Sequence, residues 1–247
     1  MGIGQLAGRP PGEGVVTTPT DVIRRSRPPL SRGVVVREAL TLIDDRGPGA
    51  LTMRALGDRL HVEAMSLYTY VTGREDLLDG IVDHIVAQMQ ARPDTPPPAE
   101  AGWREHLLGL ARTVRRTALQ HPRAFPLVAT RPPSAPWLRP PLRSLDFVED
   151  LLDQLTGAGF TDDQALYTYR AFSSFLLGTL LLETAVAAGA AADADDVTRP
   201  APSDLDESRY PTLARLREAL AEDQAAGEFA DGLDDLLDRV AAVTGAA

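Results

Sequence analysis

The fold of this chain is decided by residues 51–78, which read LTMRALGDRLHVEAMSLYTYVTGREDLL. Thr52 is a good N-cap for a helix, and this helix is predicted to end before a turn at residues 61–62. A second short helix follows the turn, and only Leu67 in it is clearly suited to a core. Its other side chains are therefore predicted to face a partner. This layout predicts a helix-turn-helix, in which the second helix reads DNA.

Another helix precedes this stretch and completes a three-helix unit over residues 30–74. Ser31 is its predicted N-cap, and residues 46–49, which read RGPG, are predicted to stop it. Helical spacing gives it one buried face, formed by Val35, Ala39, Leu42 and Ile43. Leu51 and Leu56 are spaced to pack together as a hydrophobic staple around the next helix start.

The stretch resembles the DNA-binding domain of the tetracycline-repressor (TetR) family of bacterial regulators, over residues 51–60, 61–68 and 74–78. The resemblance implies that the third helix enters the major groove, with Arg54 at a base edge and Tyr68 and Arg74 at phosphates. The implied DNA-binding residues are Thr52, Arg54, Ala64, Met65, Ser66, Tyr68, Thr69, Tyr70 and Arg74. Their chemistry suits these roles, since Arg matches guanine, methyl groups contact thymine and hydroxyls bond phosphate oxygens.

The sequence departs from the family pattern at two positions. His61 occupies the turn position that is commonly Gly, and His is among the residues that tolerate a positive φ. Arg74 replaces a common Lys at the start of the fourth helix and keeps its charge. We therefore expect the turn and the phosphate contact to be retained.

Charge is distributed unevenly along the chain. The sequence has 25 basic and 35 acidic residues, for a formal net charge of -10. Residues 1–74 contain ten Arg and seven Asp or Glu, a net +3, which leaves -13 for residues 75–247. We expect this protein to present its mildly basic N-terminal unit to DNA and to repel DNA elsewhere.

Composition indicates a cytoplasmic protein, and the sequence contains no recognisable catalytic constellation, so the chain is predicted not to be an enzyme. The chain has no Cys, which excludes a disulfide framework and a thiolate zinc site, and no secretory signal is visible. Its four His match no metal-binding or catalytic spacing, and no Gly-rich loop follows a strand. We therefore predict no cofactor and no metal.

Residues 1–29 are rich in Gly, Pro and Thr and are predicted to form a disordered arm. Arg24, Arg25 and Arg27 lie just before the first helix. The alternative is therefore a basic arm that contacts the phosphate backbone or the minor groove.

The remainder, residues 75–247, is predicted to be an all-helical effector-binding and dimerisation domain. Apolar residues recur at helical spacing, with too few β-branched alternations for a sheet. Pro and Gly divide the pattern into helices over residues 75–90, 103–119, 142–155, 162–188, 211–224 and 228–243. Residues 191–211 are acidic and contain Pro, so they are predicted to form a mobile loop. The predicted fold class is all-α, with the helix-turn-helix domain first.

Residues 171–190 are apolar and long enough to raise the question of a membrane span. Polar residues interrupt the segment, and basic residues do not flank it at both ends. A helix that is apolar all round is usually buried on every side. We therefore predict no membrane contact, with one face of this helix in the core and another in a homodimer interface.

A weaker resemblance to the TetR family extends through this domain. It is carried by Trp103, residues 130–132, 159–160, 165–167 and 177–178, and Phe229 with residues 232–233. The resemblance implies a homodimer that encloses a small-molecule pocket, in which ligand binding changes the separation of the two DNA-reading units. The last predicted helix has a stripe suited to intersubunit packing, formed by Phe229, Leu233, Leu236, Leu237 and Val240.

The predicted effector is small and largely apolar. Positions that contact drug and magnesium in tetracycline repressors hold Gln90, Leu110, Val114 and Leu127 here, which disfavours a magnesium-tetracycline chelate. The candidate ligand-binding residues are Gln90, His106, Leu107, Leu110, Val114, Leu127, Arg131, Phe147, Tyr169, Phe172, Phe175 and Thr179. His106, Arg131, Tyr169 or Glu183 would be the polar anchors. Each apolar member has ordinary core packing as its alternative.

Three functions remain open at this point. The favoured one is a ligand-responsive homodimeric repressor that an effector releases from a pseudo-palindromic double-stranded operator. The second is an all-helical small-molecule carrier or enzyme that does not bind DNA. The third is an activator or a regulator controlled by a protein partner.

Overall fold

Three α-helices, with one 3-10 turn at Pro48–Ala50 between the first two, form the N-terminal unit called the reading head below (residues 31–72). In the computed structural model of the chain, α1 is Arg32–Arg46, α2 is Met53–Leu60 and α3 is Ala64–Leu67. The structure describes residues 1, 29–90, 102–132, 135–140, 143–195 and 206–245, with only the backbone of residues 190–195. Residues 2–28 of the predicted disordered arm lie outside the described residues, as do residues 196–205 of the predicted mobile loop. The loop was predicted to begin too early, because residues 191–195 are still helical.

Hydroxyl caps set the starts of α1 and α2, as the sequence predicts. Ser31 Oγ accepts a hydrogen bond from Val34 N at 3.4 Å, and Thr52 Oγ1 accepts one from Ala55 N at 3.1 Å. Each bond satisfies a backbone donor that has no partner inside its helix. The predicted core of the reading head is confirmed, with exposures of at most 2 % for Val35, Ala39, Leu42, Ile43, Leu51 and Leu56.

The recognition segment, residues 64–70, is helical over only part of its length. Helical hydrogen bonding covers Ala64–Leu67, and the segment then continues as a turn in which Tyr70 N donates to Leu67 O at 2.9 Å. The helix is shorter than predicted. Leu67 is its one buried side chain, and the chain must then turn so that Val71 reaches the core, where it is 2 % exposed.

Seven further helices form the body within the described residues. They are α4 Arg74–Gln90, α5 Trp103–Gln120, α6 Pro126–Thr130, α7 Leu145–Gly157, α8 Asp162–Asp195, α9 Pro211–Ala221 and α10 Ala225–Thr244. No strand occurs in this part of the chain, and the predicted all-α fold class is confirmed. The sequence pattern did not predict α6, because five residues are too few to show helical periodicity.

α4 connects the reading head to the body. It packs against α1 of the reading head and against α5 and α6 of the body. Its buried residues run along most of its length: Leu77, Leu78, Ile81, Val82, Ile85, Val86 and Met89. It lies closest to α1 at Gly80, where a Cβ would be 2.9 Å from Val36 Cγ2. A shift of α4 within the body would therefore move α1 as well.

α8 has the buried face that its composition predicts, and a second apolar face that remains exposed. The span Asp162–Gly189 is long and apolar enough to cross a membrane by length and composition alone. Its inward residues pack among α5, α7 and α10, namely Ala165, Thr168, Tyr169, Phe172, Ser173, Leu176, Leu180 and Thr184. On the outward face, Leu182 and Val186 are 73 % and 74 % exposed.

The apolar stripe of α10 packs within the protomer, so the prediction that it lies between subunits was wrong. Phe229, Leu233, Leu236, Leu237 and Val240 are 0–6 % exposed in the single chain. α10 packs on α8, where the Phe229 and Phe175 rings lie 5.8 Å apart. The stripe is used inside the chain because α8 has an apolar face on that side as well.

Candidate DNA-binding surface and effector cavity

The crossing of α2 and α3 depends on the absence of a side chain at Gly57. A Cβ at this position would lie 2.8 Å from Val62 O and 3.2 Å from Ala64 N, closer than packed atoms normally approach. His61 ends α2 in the left-handed conformation, with φ 56° and ψ 45°, as predicted for this position. Together Gly57 and His61 set the angle at which α3 leaves α2.

Most of the predicted DNA-contacting side chains face solvent. Ala64 and Tyr70 are half-buried, whereas the others are exposed: Thr52, Arg54, Met65, Ser66, Tyr68, Thr69 and Arg74. Leu67 is 0 % exposed and anchors α3 to the core of the reading head. The recognition segment therefore has the buried anchor and the exposed outer face that DNA reading requires. Contact of each residue with DNA stays a prediction.

Arg74 has a structural role that the sequence did not predict. Its Nε donates to Leu51 O at 3.2 Å and its Nη2 to Pro48 O at 3.0 Å, which ties the start of α4 to the turn before α2. The side chain is still 45 % exposed. Because a guanidinium carries five N–H donors, a phosphate contact remains compatible with these bonds.

A hydrogen-bond network holds the C-terminal end of the recognition segment. Asp76, in the first turn of α4, receives two bonds from Arg32 at 2.7 and 3.0 Å and one from Thr72 N at 2.8 Å. Arg32 also donates to Tyr70 O at 3.3 Å. The bonds from Arg32 and Thr72 hold the pKa of Asp76 below its usual value. Residues this far apart in the sequence gave no signal of this pairing.

The body contains an apolar cavity among α4, α5, α6, α7 and α8. The volume of this cavity, measured as the space that the centre of a water molecule can occupy, is about 40 Å³. This is enough for a few waters but not for a drug-sized ligand. Three of the predicted pocket residues line it, namely Val114, Phe147 and Phe172. The sequence did not predict its other lining residues, which are Val86, Met89, Phe125, Val128, Arg143, Ser144, Ser173, Leu176 and Leu177.

Ser173 is the polar group of this cavity that has no partner. Its side chain is 4 % exposed, and its Oγ makes no hydrogen bond within the described structure. The other lining hydroxyl, Ser144, caps α7 by accepting a bond from Phe147 N at 3.2 Å. A buried hydroxyl without a partner is unfavourable and is generally found where another group completes its bonding.

The remaining predicted pocket residues lie outside the lining of this cavity. They are Gln90, His106, Leu107, Leu110, Leu127, Arg131, Tyr169, Phe175 and Thr179. Gln90 is exposed and donates to Asp150 at 3.3 Å, and Leu107 is fully buried. His106 is half-buried, and burial lowers its pKa. Phe175 packs on Phe229 instead.

Three of the four predicted polar anchors are engaged inside the protein. Arg131 pairs with Asp79 at 2.6 Å and also with Glu75 on α4. Glu183 pairs with Arg115, whose guanidinium lies 5.4 Å from the centre of the Phe229 ring. These bonds link elements distant in the sequence and correct the prediction that Arg131 and Glu183 are available to a ligand.

Tyr169, the other predicted anchor that is engaged, donates its hydroxyl to Pro140 O at 3.1 Å. Burial raises its pKa to about 12, so the hydroxyl is neutral at physiological pH. This bond holds the loop before α7 in place. It also uses the hydroxyl hydrogen of Tyr169, which is therefore not available to a ligand in the cavity.

Two sets of contacts lead from the cavity to the reading head. In the turn after α5, His121 Nδ1 lies 2.7 Å from Asp44 Oδ2 on α1, and Arg123 donates to Asp44 O at 3.1 Å. Phe125, in the same turn, lines the cavity. This turn therefore contacts the cavity on one side and the end of α1 on the other.

The second set joins the cavity to α4. Arg143, a lining residue, pairs with Asp79 at 3.2 Å and Asp83 at 3.2 Å. These carboxylates lie one helical turn apart on the same face of α4. A change in the position of Arg143 would alter how α4 is held.

The sequence matches two family descriptions. Residues 35–81 match the tetR family of bacterial regulatory proteins, and residues 95–244 match the tetracyclin repressor-like C-terminal domain. The first match covers α2, α3 and most of α1, and the second covers the body from α5 to α10.

Two relatives align over much of the chain. An HTH-type transcriptional regulator from Saccharopolyspora erythraea is 32% identical over 65% of this chain and 64% of its own length, slightly less than two thirds. The class D tetracycline repressor protein from Escherichia coli is 30% identical over 84% of this chain and 88% of its own length.

Solved structures are similar over most of the chain. A possible TetR family transcriptional regulator from Streptomyces coelicolor A3(2) is 27% identical, covers 86% of this chain and 100% of its own, and has a TM-score of 0.65. ActR from Streptomyces coelicolor, solved in complex with actinorhodin, is 25% identical, with coverages of 89% and 99% and a TM-score of 0.63.

Proposed function

Because the chain belongs to the tetR family of bacterial regulatory proteins, it is a ligand-responsive DNA-binding transcriptional repressor, and we propose how its own residues perform that function. The family is one of transcriptional regulators, which are not enzymes. We further propose that the protein is cytoplasmic, that its operator is pseudo-palindromic and that its effector is small and largely apolar.

The observation that supports DNA reading most directly is the exposed recognition segment, which a buried leucine and the close α2–α3 crossing hold in place. A homodimer with two-fold symmetry would place one such segment in the major groove of each half-site. The formal charge of -13 on residues 75–247 would repel DNA from the body. The reading heads would therefore be the surfaces that approach DNA.

Arg54 is proposed to read a base edge. It is exposed on α2, one helical turn before Gly57, and therefore lies beside the start of α3. Arg54→Ala is expected to weaken operator binding by about 1–3 kcal/mol more than it weakens non-specific binding. Fluorescence anisotropy on both DNAs measures the difference, with Arg116→Ala on α5 as a control that removes an exposed charge from the body. Equal losses on the two DNAs would contradict base reading.

The apolar cavity is proposed as the effector site. Three Phe and several aliphatic side chains line it, which suits an apolar molecule with ring systems. The cavity must widen to admit such a molecule, because its present volume holds only a few waters. ActR binds actinorhodin in its solved complex, and a TetR variant from Acinetobacter baumannii binds minocycline. Both support a multi-ring effector for this chain.

Ser173 is proposed to be the polar anchor of the effector. Ser173→Ala is expected to stabilise the free protein by about 1 kcal/mol, because it removes a buried hydroxyl that has no partner in the described structure. Thermal unfolding measures this change, and Ser174→Ala, at an exposed neighbour, is the matched control. A large loss of stability in Ser173→Ala alone would show that the hydroxyl is already satisfied.

Release from DNA is proposed to occur by a shift between two states of the dimer. An effector that widens the cavity would displace Phe125 and Arg143, which contact it directly. Phe125 lies in the turn whose His121 and Arg123 bond to Asp44 on α1. Arg143 pairs with Asp79 and Asp83 on α4. Displacement of these two lining residues would therefore move both helices. The effector releases DNA only if it binds the non-binding state more tightly.

The proposed function is tested by selecting binding sites from random double-stranded oligonucleotides with the full-length protein. A selected site with two related half-sites is expected, and a gel-shift screen of apolar multi-ring compounds on that site is expected to find one that releases it. Enrichment of no sequence, or of a single unrepeated half-site, would contradict the proposal.

A further inference from the structure

We propose that the reading head recognises thymine methyl groups, and that Met65 is the side chain that reads them. The inference rests on the proposed function, because it names the base chemistry that the recognition segment reads. It concerns the operator and not the effector.

The recognition segment lacks the side chains that read the other bases. Residues 64–70 read AMSLYTY and contain no cation, carboxamide or carboxylate. In the major groove, Arg or Lys pairs with guanine, Asn or Gln with adenine, and Asp or Glu with cytosine. Thymine is recognised by apolar contact with its C5 methyl group. The segment therefore mainly carries side chains that suit thymine.

Met65 is the apolar side chain that is placed to make this contact. It is 77 % exposed, whereas Leu67, two residues later, is fully buried. Packing within the chain therefore does not explain an apolar residue at position 65. A thioether side chain is flexible and polarisable, so it can adapt its contact to a methyl group on the floor of the groove.

The segment is held at both ends, so the backbone of Met65 has a defined position relative to the reading head. Gly57 lets Ala64 pack directly on α2, and Arg32 holds the other end through Tyr70 O at 3.3 Å. A contact that is preorganised in this way loses less entropy on binding. It can therefore contribute to specificity even though each methyl contact is weak.

Two neighbouring charged residues predict the rest of the half-site. Arg54 is expected to face a guanine, next to the thymines that Met65 contacts. Glu63 is exposed at the N-cap of α3, and its carboxylate suits a cytosine amino group. If the selected operator has a cytosine where Met65 is expected to contact a thymine, Glu63 would be the residue that reads this base, and not Met65.

Deoxyuridine substitution tests the inference, because it removes only the methyl group of thymine. The operator is first selected with the full-length protein, and each thymine of the half-site is then replaced by deoxyuridine. At the thymines facing Met65, each replacement is expected to weaken binding about fourfold, the effect of one buried carbon group. Thymines in the flanking sequence serve as the matched DNA control, and their replacement by deoxyuridine is expected to leave the affinity unchanged.

The protein variants separate Met65 from the rest of the segment. Met65→Ala is expected to bind the thymine and deoxyuridine operators equally, whereas Met65→Leu is expected to keep the preference. Both should fold normally, since the side chain is exposed. Wild-type indifference to deoxyuridine, or an unchanged preference in Met65→Ala, would overturn the inference while leaving the proposed function standing. A failed selection would instead overturn the proposed function, and this inference with it.

Discussion

Gly57→Ala is expected to abolish sequence-specific DNA binding, with a loss of at least about a hundredfold in operator affinity. The added Cβ would lie 2.8 Å from Val62 O and 3.3 Å from Ala64 Cα. Both neighbours are backbone atoms, so α3 itself must move to relieve the contact. A shifted α3 would misplace Met65 relative to the bases in both half-sites and would change its spacing from Arg54 on α2.

The measurement for Gly57→Ala is operator affinity together with the thermal unfolding midpoint. Overpacking of this kind costs about 1–3 kcal/mol, so the variant is expected to fold with reduced stability. Gly109→Ala on α5 is the matched control, because a Cβ there meets no atom within 4 Å. The control should keep full operator affinity and gain about 0.5–1 kcal/mol of stability. Normal operator binding by Gly57→Ala would show that the α2–α3 crossing does not set the reading geometry.

The double variant Leu182→Glu and Val186→Glu is expected to dissociate the homodimer and to lose operator binding by at least about a hundredfold. The two side chains are 73 % and 74 % exposed and lie one turn apart on α8. Because they are exposed in the single chain, the substitution should leave the fold of the protomer intact. In a dimer interface, however, it would bury four carboxylates without partners, since the interface is symmetric.

Light scattering coupled to size-exclusion chromatography measures the oligomeric state of this variant. Trp137→Glu is the control, since it introduces a carboxylate at another apolar residue, 77 % exposed, in the loop before α7. The control is expected to remain dimeric. If the double variant also stayed dimeric and bound its operator, the interface would lie on a different face of the body.

The helix starts of the reading head could be predicted because their signals are local. Ser31 and Thr52 cap α1 and α2 through residues three positions ahead, and His61 takes the positive φ expected at its turn. The length of α3 could not be predicted in the same way. It depends on where Leu67 and Val71 meet the core, and this is a tertiary contact.

The effector cavity was harder to predict because five helices contribute to it. Val114, Phe147 and Phe172 were foreseen as apolar residues on inward faces, but the same pattern also describes ordinary core packing. In the sequence, Ser173 is a polar residue that interrupts an apolar run, which does not distinguish it from an exposed serine. The structure shows that its hydroxyl is buried and has no hydrogen-bond partner among the described residues.

The predicted polar anchors failed for a related reason. Arg131 is held by acidic residues 52 and 56 positions away, and Glu183 by an arginine 68 positions away. No spacing rule connects residues at such separations. The same limit explains the α10 stripe, whose apolar pattern does not distinguish a partner subunit from α8 of the same chain.

The most direct test of the central claim is an electrophoretic mobility shift of the full-length protein on its own upstream intergenic DNA, with excess non-specific competitor. We expect a discrete complex that resists the competitor and contains two protomers per operator. A protein that shows no such complex on this DNA, and that enriches no site from random oligonucleotides, would contradict the assignment of Ala64–Tyr70 as a DNA-reading segment.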